Sequence, residues 1–470
     1  MPENDLHYLT ISEASSHIKS GRLSPVELVN AHLERIEQTD DRLNSFVTLL
    51  ADQAKAAAAT AEAEIRSGNY RGVLHGIPIG LKDLYYTEGI RTTVGSKIMG
   101  DFVPDYDAAV TERFADAGAI LLGKLQMHEF ALGATSENPH QGPAHNPWDT
   151  SRITGGSSGG SGSAVASGQC MAALGSDTGG SVRIPASACG IVGHKPTFGR
   201  ISRVGVFPLS NSLDTVGPMT RSVTDAAIVM NAIAGYDERD QSCANRPDED
   251  FTRLLGKDIA GLRIGIPQEY FYEMIDEEVR VAVLQAASKL EELGARVEEC
   301  SIPVLNDSIS ISGTILLTEA AEIHLDNLRE RADDFGADVR GRLEEGAMNP
   351  AVTYIAAQRA RTEFNRAIAE SMKTYDILLA PTTAAPAPKI GEDIVEVGGQ
   401  TEHKLALMPR LTRPHNICGI PTVSVPCGFS SDGLPIGMQL AARPFEDALA
   451  LQVAYAYEQA TDWHTRRPPV

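Results

Sequence analysis

Two clusters of glycine and serine are the part of this sequence best suited to chemistry. They are Gly155-Gly156-Ser157-Ser158-Gly159-Gly160-Ser161 and Gly175-Ser176-Asp177-Thr178-Gly179-Gly180-Ser181-Val182-Arg183. Ser157 and Ser181 lie 24 positions apart (181 − 157). Four readings compete. Glycine-rich loops can cradle phosphate with backbone N–H groups, but a P-loop needs G-K-[ST], and here Gly162 is followed by Ser163 and Ala164. Gly155 to Gly159 matches the G-x-S-x-G elbow in form, yet Asn146-Pro147-Trp148-Asp149 offers no preceding strand. Ser16 and Lys19 make a Ser-x-x-Lys pair without any companion motif. The fourth reading joins both clusters to a distant lysine, Lys82, in Gly76-Ile77-Pro78-Ile79-Gly80-Leu81-Lys82-Asp83. Taken singly, each piece reads as an ordinary loop or solvated turn.

Taken together and in this order, they resemble the amidase signature family. The resemblance runs from about residue 70 to about residue 235 and includes Gly190-Ile191-Val192-Gly193-His194-Lys195-Pro196-Thr197. It resumes at Gly419-Ile420-Pro421-Thr422-Val423-Ser424-Val425-Pro426 and Gly433-Leu434-Pro435-Ile436-Gly437. It implies Ser181 as nucleophile, Ser157 as a middle serine in a cis peptide arrangement, and Lys82 as base. The N–H groups of Thr178, Gly179, Gly180 and Ser181 would form the oxyanion hole. Ser158, Asp177 and Arg183 would support that loop without reacting.

The residue types suit those roles. A serine hydroxyl attacks only as a base removes its proton. A second hydroxyl can accept from one group while donating to another. Lysine serves as a base only when neutral, so its pKa of about 10.4 must fall, and burial among Ile77, Ile79 and Leu81 would lower it. His128, His140, His145 and His194 read as structural or pocket-lining, since lysine already fills the base role. Met127, Phe130 and Leu132 read as pocket or core.

The implied reaction is hydrolysis of an amide, or of an anilide, carbamate or ester, through an acyl-enzyme. It calls for no metal and no organic cofactor. A stand-alone amidase acting on a small-molecule amide is the first reading, with no direct nucleic-acid contact and dimers common in the family. The alternative is the glutaminase A subunit of a glutamyl-tRNA amidotransferase, which works in a three-subunit complex. Where that subunit carries an aspartate for the substrate's amino group, this chain has Pro409, in Met408-Pro409-Arg410-Leu411-Thr412-Arg413-Pro414. An inactive scaffold on the same fold is a third reading. Loss of Lys82, Ser157 or Ser181 would signal it, and all three are present.

The elements that must position these groups follow from periodicity. The resemblance implies one α/β domain over residues 1–470, with a mixed central sheet of many strands covered by helices on both sides. Residues 1–70 read as helical, opened at Ser24-Pro25-Val26-Glu27 by a capping box. Strands are predicted at 73–81, 119–122, 262–266, 295–301, 376–379, 422–426 and 436–441. Helices are predicted at 51–67, 108–117, 277–293, 349–373 and 448–461. Residues 235–260 are polar and read as the best linker candidate. The substrate pockets are expected within 120–145, 205–215 and 300–420.

Bulk properties narrow the function. Asp and Glu outnumber Lys and Arg by 62 to 41 in 470 residues, a formal charge of −21, which repels nucleic acid and anionic membrane. The six cysteines show no metal or C-x-x-C spacing, and Cys170, Cys189, Cys418 and Cys427, in small-residue or apolar runs, read as reduced core residues. No apolar run is long enough to cross a bilayer, and MPENDLHYLT has no leader character. A cytoplasmic enzyme is expected.

Overall fold

The computed structural model describes residues 3–470. Met1 and Pro2, part of the stretch read as lacking a leader, lie outside the described residues. Eleven strands form one mixed sheet. In spatial order they are Phe46–Leu49, Ile120–Leu125, Pro78–Lys82, Ala172–Asp177, Thr215–Thr220, Val192–Lys195, Thr422–Phe429, Pro435–Ala442, Ile377–Pro381, Arg263–Pro267 and Arg296–Cys300. Pro78–Lys82 runs parallel to both its neighbours, and Ala172–Asp177 is antiparallel to Thr215–Thr220. Both small clusters of glycine and serine therefore sit beside a point where the sheet changes direction.

Alternate residues of a strand face opposite sides of a sheet. Ala172 and Leu174 join one core cluster, and Ala173 joins another. The second cluster is closed by Val29, Leu33 and Ile36 of helix Pro25–Leu43 and by Ala54, Ala58 and Ala61 of helix Ala51–Arg66. Helices Val223–Ile233, Glu277–Glu292 and Asp447–Gln459 contribute to the first. Helices thus pack against both faces, as expected. Ser24 caps its helix through Val26 N–H while Glu27 returns a bond to Ser24 N–H.

Two departures have local causes. The strand expected at 73–81 begins only at Pro78, because Gly72 and Gly76 adopt positive φ (139° and 86°) and turn the chain first. The linker candidate at 235–260 forms no helix or strand, but it inserts Phe251 and Ile259 into the core, and Glu249 pairs with Arg200 at 2.6 Å. It is fastened to the core rather than free.

Candidate active site

Strands Pro78–Lys82 and Ala172–Asp177 are parallel neighbours, with Leu81 opposite Leu174. Their carboxyl ends therefore coincide, and parallel sheets place their sites beyond such ends. Lys82 ends the first strand and Asp177 the second. Lys82 is fully buried, and its Nζ donates to Ser157 Oγ at 2.7 Å and to Ser176 Oγ at 2.8 Å. Burial lowers its pKa to about 7, even though Asp214 and Asp177 favour the ammonium. A lysine held this way is neutral in a large share of molecules near pH 7. Ser157 is joined to Gly156 by a cis peptide bond, and its carbonyl accepts from His128 N–H at 3.0 Å.

Ser181 lies one loop away, at the mouth of helix Arg183–Cys189. Among the described residues its hydroxyl makes no hydrogen bond to protein; it lines an adjoining small, open recess. The intervening loop is set by Asp177 and Arg183, both fully buried. Arg183 Nε donates to Asp177 Oδ2 and Nη2 to Oδ1, each at 3.0 Å, a bidentate pair. Burial opposes ionisation of Asp177, but Arg183 outweighs it and holds the carboxyl at about 2. Asn416 Nδ2 also donates to Asp177, at 2.8 Å, and Arg183 donates to Gln439 and Asn416. Ser158 Oγ accepts from Ser176 N–H (3.3 Å) and so ties the first cluster to the second strand.

One expectation about the loop is corrected. Gly180 N–H donates to Asp177 Oδ1 at 2.8 Å, so that donor is already engaged. The N–H groups of Thr178, Gly179 and Ser181 make no hydrogen bond among the described residues and are unengaged. Gly180 instead serves geometry. Its φ is +125°, and a Cβ there would lie 2.0 Å from Thr412 Oγ1, the hydroxyl that donates to Gly179 O. Gly180→Ala is therefore expected to displace the loop, lowering amide turnover at least tenfold with a measurable fall in Tm. Unchanged kinetics in that variant would show that the loop has slack.

The recess draws on all three expected stretches: Leu132 and Ala134, then Leu209, then Leu316, Arg342, Leu405, Pro409 and Arg413. Met127 and Phe130 lie in the core instead. The four histidines are tied to other groups. His128 meets Asp338 at 2.9 Å, His140 meets Glu129 at 2.8 Å, His194 meets Asp447 at 3.3 Å and His145 meets Thr150 O at 2.6 Å.

Three participants have no role in the sequence reading. Ser176 holds Lys82, and a parallel pairing of the two strands would have pointed to it. Asp214 accepts from Thr178 Oγ1 at 2.6 Å and from Leu209 and Ser210 N–H. Arg342 enters from a helix, Ala337–Ala347, far along the chain.

A family model described as Amidase matches residues 27–451. The chain belongs to the amidase family. As an amidase it falls in a family of amide-hydrolysing enzymes. Its sequence is 43% identical, over 99% of both chains, to the A subunit of glutamyl-tRNA(Gln) amidotransferase from Chloroflexus aggregans. The crystal structure of the same subunit from Thermotoga maritima is 35% identical, with a TM-score of 0.81 over 97% of this chain and 95% of that one. One protein from a vestigial complex, solved for the evolutionary origins of an s-triazine catabolic enzyme, is 38% identical. It has a TM-score of 0.93 over 96% of this chain and 98% of its own. These likenesses fit the amidotransferase alternative better than the stand-alone amidase. They also overturn the expectation of a chain that works alone on a small amide, apart from nucleic acid. The curated relatives are subunits of an enzyme named for glutamyl-tRNA(Gln), and the s-triazine relative comes from a protein complex.

Among the described residues, no helix is long and apolar enough to cross a membrane.

Proposed function

We propose that this chain is the amide-cleaving subunit of an amidotransferase-type assembly, releasing nitrogen for transfer on the pattern of the glutamyl-tRNA(Gln) amidotransferase relatives. Ser181 Oγ bonds to the carboxamide carbon while Ser157 takes its proton and passes its own to Lys82. The tetrahedral oxyanion is met by the N–H groups of Thr178, Gly179 and Ser181. The C–N bond then breaks, the relayed proton leaves with the nitrogen as ammonia, and water hydrolyses the acyl-Ser181 by the same relay. Lys82 at 2.7 Å from Ser157 in a dry site, with its pKa brought near 7, is the observation that carries this reading. The shared chemistry extends in principle to anilides, carbamates and esters.

The test is ammonia release by wild type, Ser181→Ala and Lys82→Ala, each alone and with companion subunits. Release that needs Ser181 and Lys82, and that rises when the companions are added, supports the proposal. Full release by Ser181→Ala would sink it.

The base also sets a pH dependence. Only the neutral amine accepts a proton, so kcat/KM should rise tenfold per pH unit below about 7 and level off above it. A flat profile between pH 5.5 and pH 8.5 would remove Lys82 from the base role.

A further inference from the structure

We propose that the recess beside Ser181 takes an amide bearing an anionic group, and that Arg413 is the residue that selects it. This rests on the amide-cleaving reading and adds the substrate's charge. Among the described residues lining the recess, the charged ones are Arg342 and Arg413, and no carboxylate joins them. The other walls are short and mostly apolar, with Leu132, Leu209, Leu316 and Leu405 facing the space.

The two arginines differ in their surroundings. Arg342 donates to Leu132 O at 3.1 Å, and Asp338, one turn before it, is already bound to His128. Arg413 makes no hydrogen bond or ion pair to protein among the described residues. Its stem passes 3.8 Å from a Cβ built on Gly179, and its Nη1 lies 3.7 Å from one built on Gly313. The side chain thus runs from the oxyanion loop to helix Ser308–Ile323. It is half-buried and starts helix Arg413–Cys418, so its backbone is fixed while its guanidinium is unengaged. Burial and then the charge of Arg413 lower the pKa of Arg342 to about 10, which places the two cations within mutual influence. Unpaired cations in a partly dry recess are costly until an anion arrives, and a guanidinium matches a carboxylate with two parallel donors.

The same recess has no carboxylate among its described lining residues to balance a cation. Pro409 lines it, its side chain has no acceptor or charge to balance an ammonium, and its carbonyl already accepts from Thr412 Oγ1 at 3.0 Å. The substrate class that fits is a short carboxamide with a carboxylate and no ammonium beside it. Succinamate is the probe for that class. Glutamine is the zwitterionic comparison and propionamide the neutral one.

The experiment measures kcat/KM for ammonia release from the three amides by the chain assembled with its companion subunits, with succinate binding followed by thermal shift. Succinamate should exceed both others by about 30-fold, the scale of one charge-assisted hydrogen bond. Arg413→Gln should cut the succinamate-to-propionamide ratio by a similar factor, and Arg413→Lys should retain most of it. Succinate should stabilise wild type and do so at least tenfold more weakly in Arg413→Gln. Glutamine or propionamide used as well as succinamate would overturn the proposal, as would an equal loss on all amides in Arg413→Gln. If no amide is cleaved but succinate binds through Arg413, the amide-cleaving reading fails and the anion assignment stands. If succinate does not bind and no charge preference is seen, the assignment falls.

Discussion

Ser181→Ala is expected to lower kcat/KM for amide cleavage by at least about 10⁴-fold, and Lys82→Ala by a comparable factor. In the proposed mechanism the two residues form one proton-transfer unit with Ser157. Without Ser181 no acyl-enzyme forms. Without Lys82 the proton on Ser157 has no acceptor, because the other group bonded to Lys82, Ser176, is a second hydroxyl. Because the unit fails as a whole, the double variant should be no slower than either single one. Mass spectrometry of the intact chain after an acylating or phosphonylating probe separates the roles. Wild type should gain one adduct on Ser181, and Lys82→Ala should gain it far more slowly. The fold should survive Ser181→Ala, since that hydroxyl makes no hydrogen bond to protein among the described residues. Lys82→Ala leaves a cavity and frees two serine hydroxyls, so its Tm must be measured alongside. Losses that simply multiply in the double variant would argue against a shared relay.

Much of the frame is legible in the sequence because half-exposed elements carry a period. Glu277–Glu292 agrees within one residue with its apolar repeat, and the box at Ser24 marks its helix start. The Gly/Ser-rich segment is different. Helix Gly159–Ala166 reads GGSGSAVA, and every residue in it is buried. Such a helix has no polar face to set a period, and its glycines and serines oppose helix formation, so packing alone decides it. Strand Ala172–Asp177 is likewise buried throughout and lacks alternation. Helix Ser308–Ile323, rich in Ser, Thr and Ile, shows no strong helical preference in sequence, yet it forms one wall of the recess through Leu316. The pairing of Lys82 with Ser176, and the meeting of Arg342 with Arg413, join residues from distant parts of the chain. Only the sheet order and the helix packing bring them together. The family motif points to Lys82, Ser157 and Ser181 but carries no information on which loop N–H groups are free. The engagement of Gly180 by Asp177 is a matter of local loop geometry.

Arg183→Met should destabilise the chain by about 3–5 kcal/mol, the cost of stranding a buried charge. Arg183 supplies two of the bonds that hold Asp177, at 3.0 Å each, and has three further partners of its own within the core, His415 among them. Removing it leaves Asp177 with the Gly180 and Asn416 donors and weaker bonds from the backbone N–H groups of residues 182 and 183. In wild type the carboxyl sits at about 2, below the unfolded value of about 3.9, so its contribution is present above that value and lost as pH falls through 2. In Arg183→Met burial acts without its main opponent, and the folded pKa should rise above the unfolded one. The sign then reverses. The variant should lose stability as pH rises, because the folded state holds the proton more tightly. Its Tm deficit against wild type should be larger at pH 8 than at pH 5.5. Adding Asp177→Asn removes the stranded charge, so the double variant should recover part of the loss at pH 8. Turnover should stay low in both, because the loop that presents Thr178, Gly179 and Ser181 has lost its anchor. A deficit independent of pH, with no recovery in the double variant, would mean that lost packing rather than the buried charge accounts for the role of Arg183.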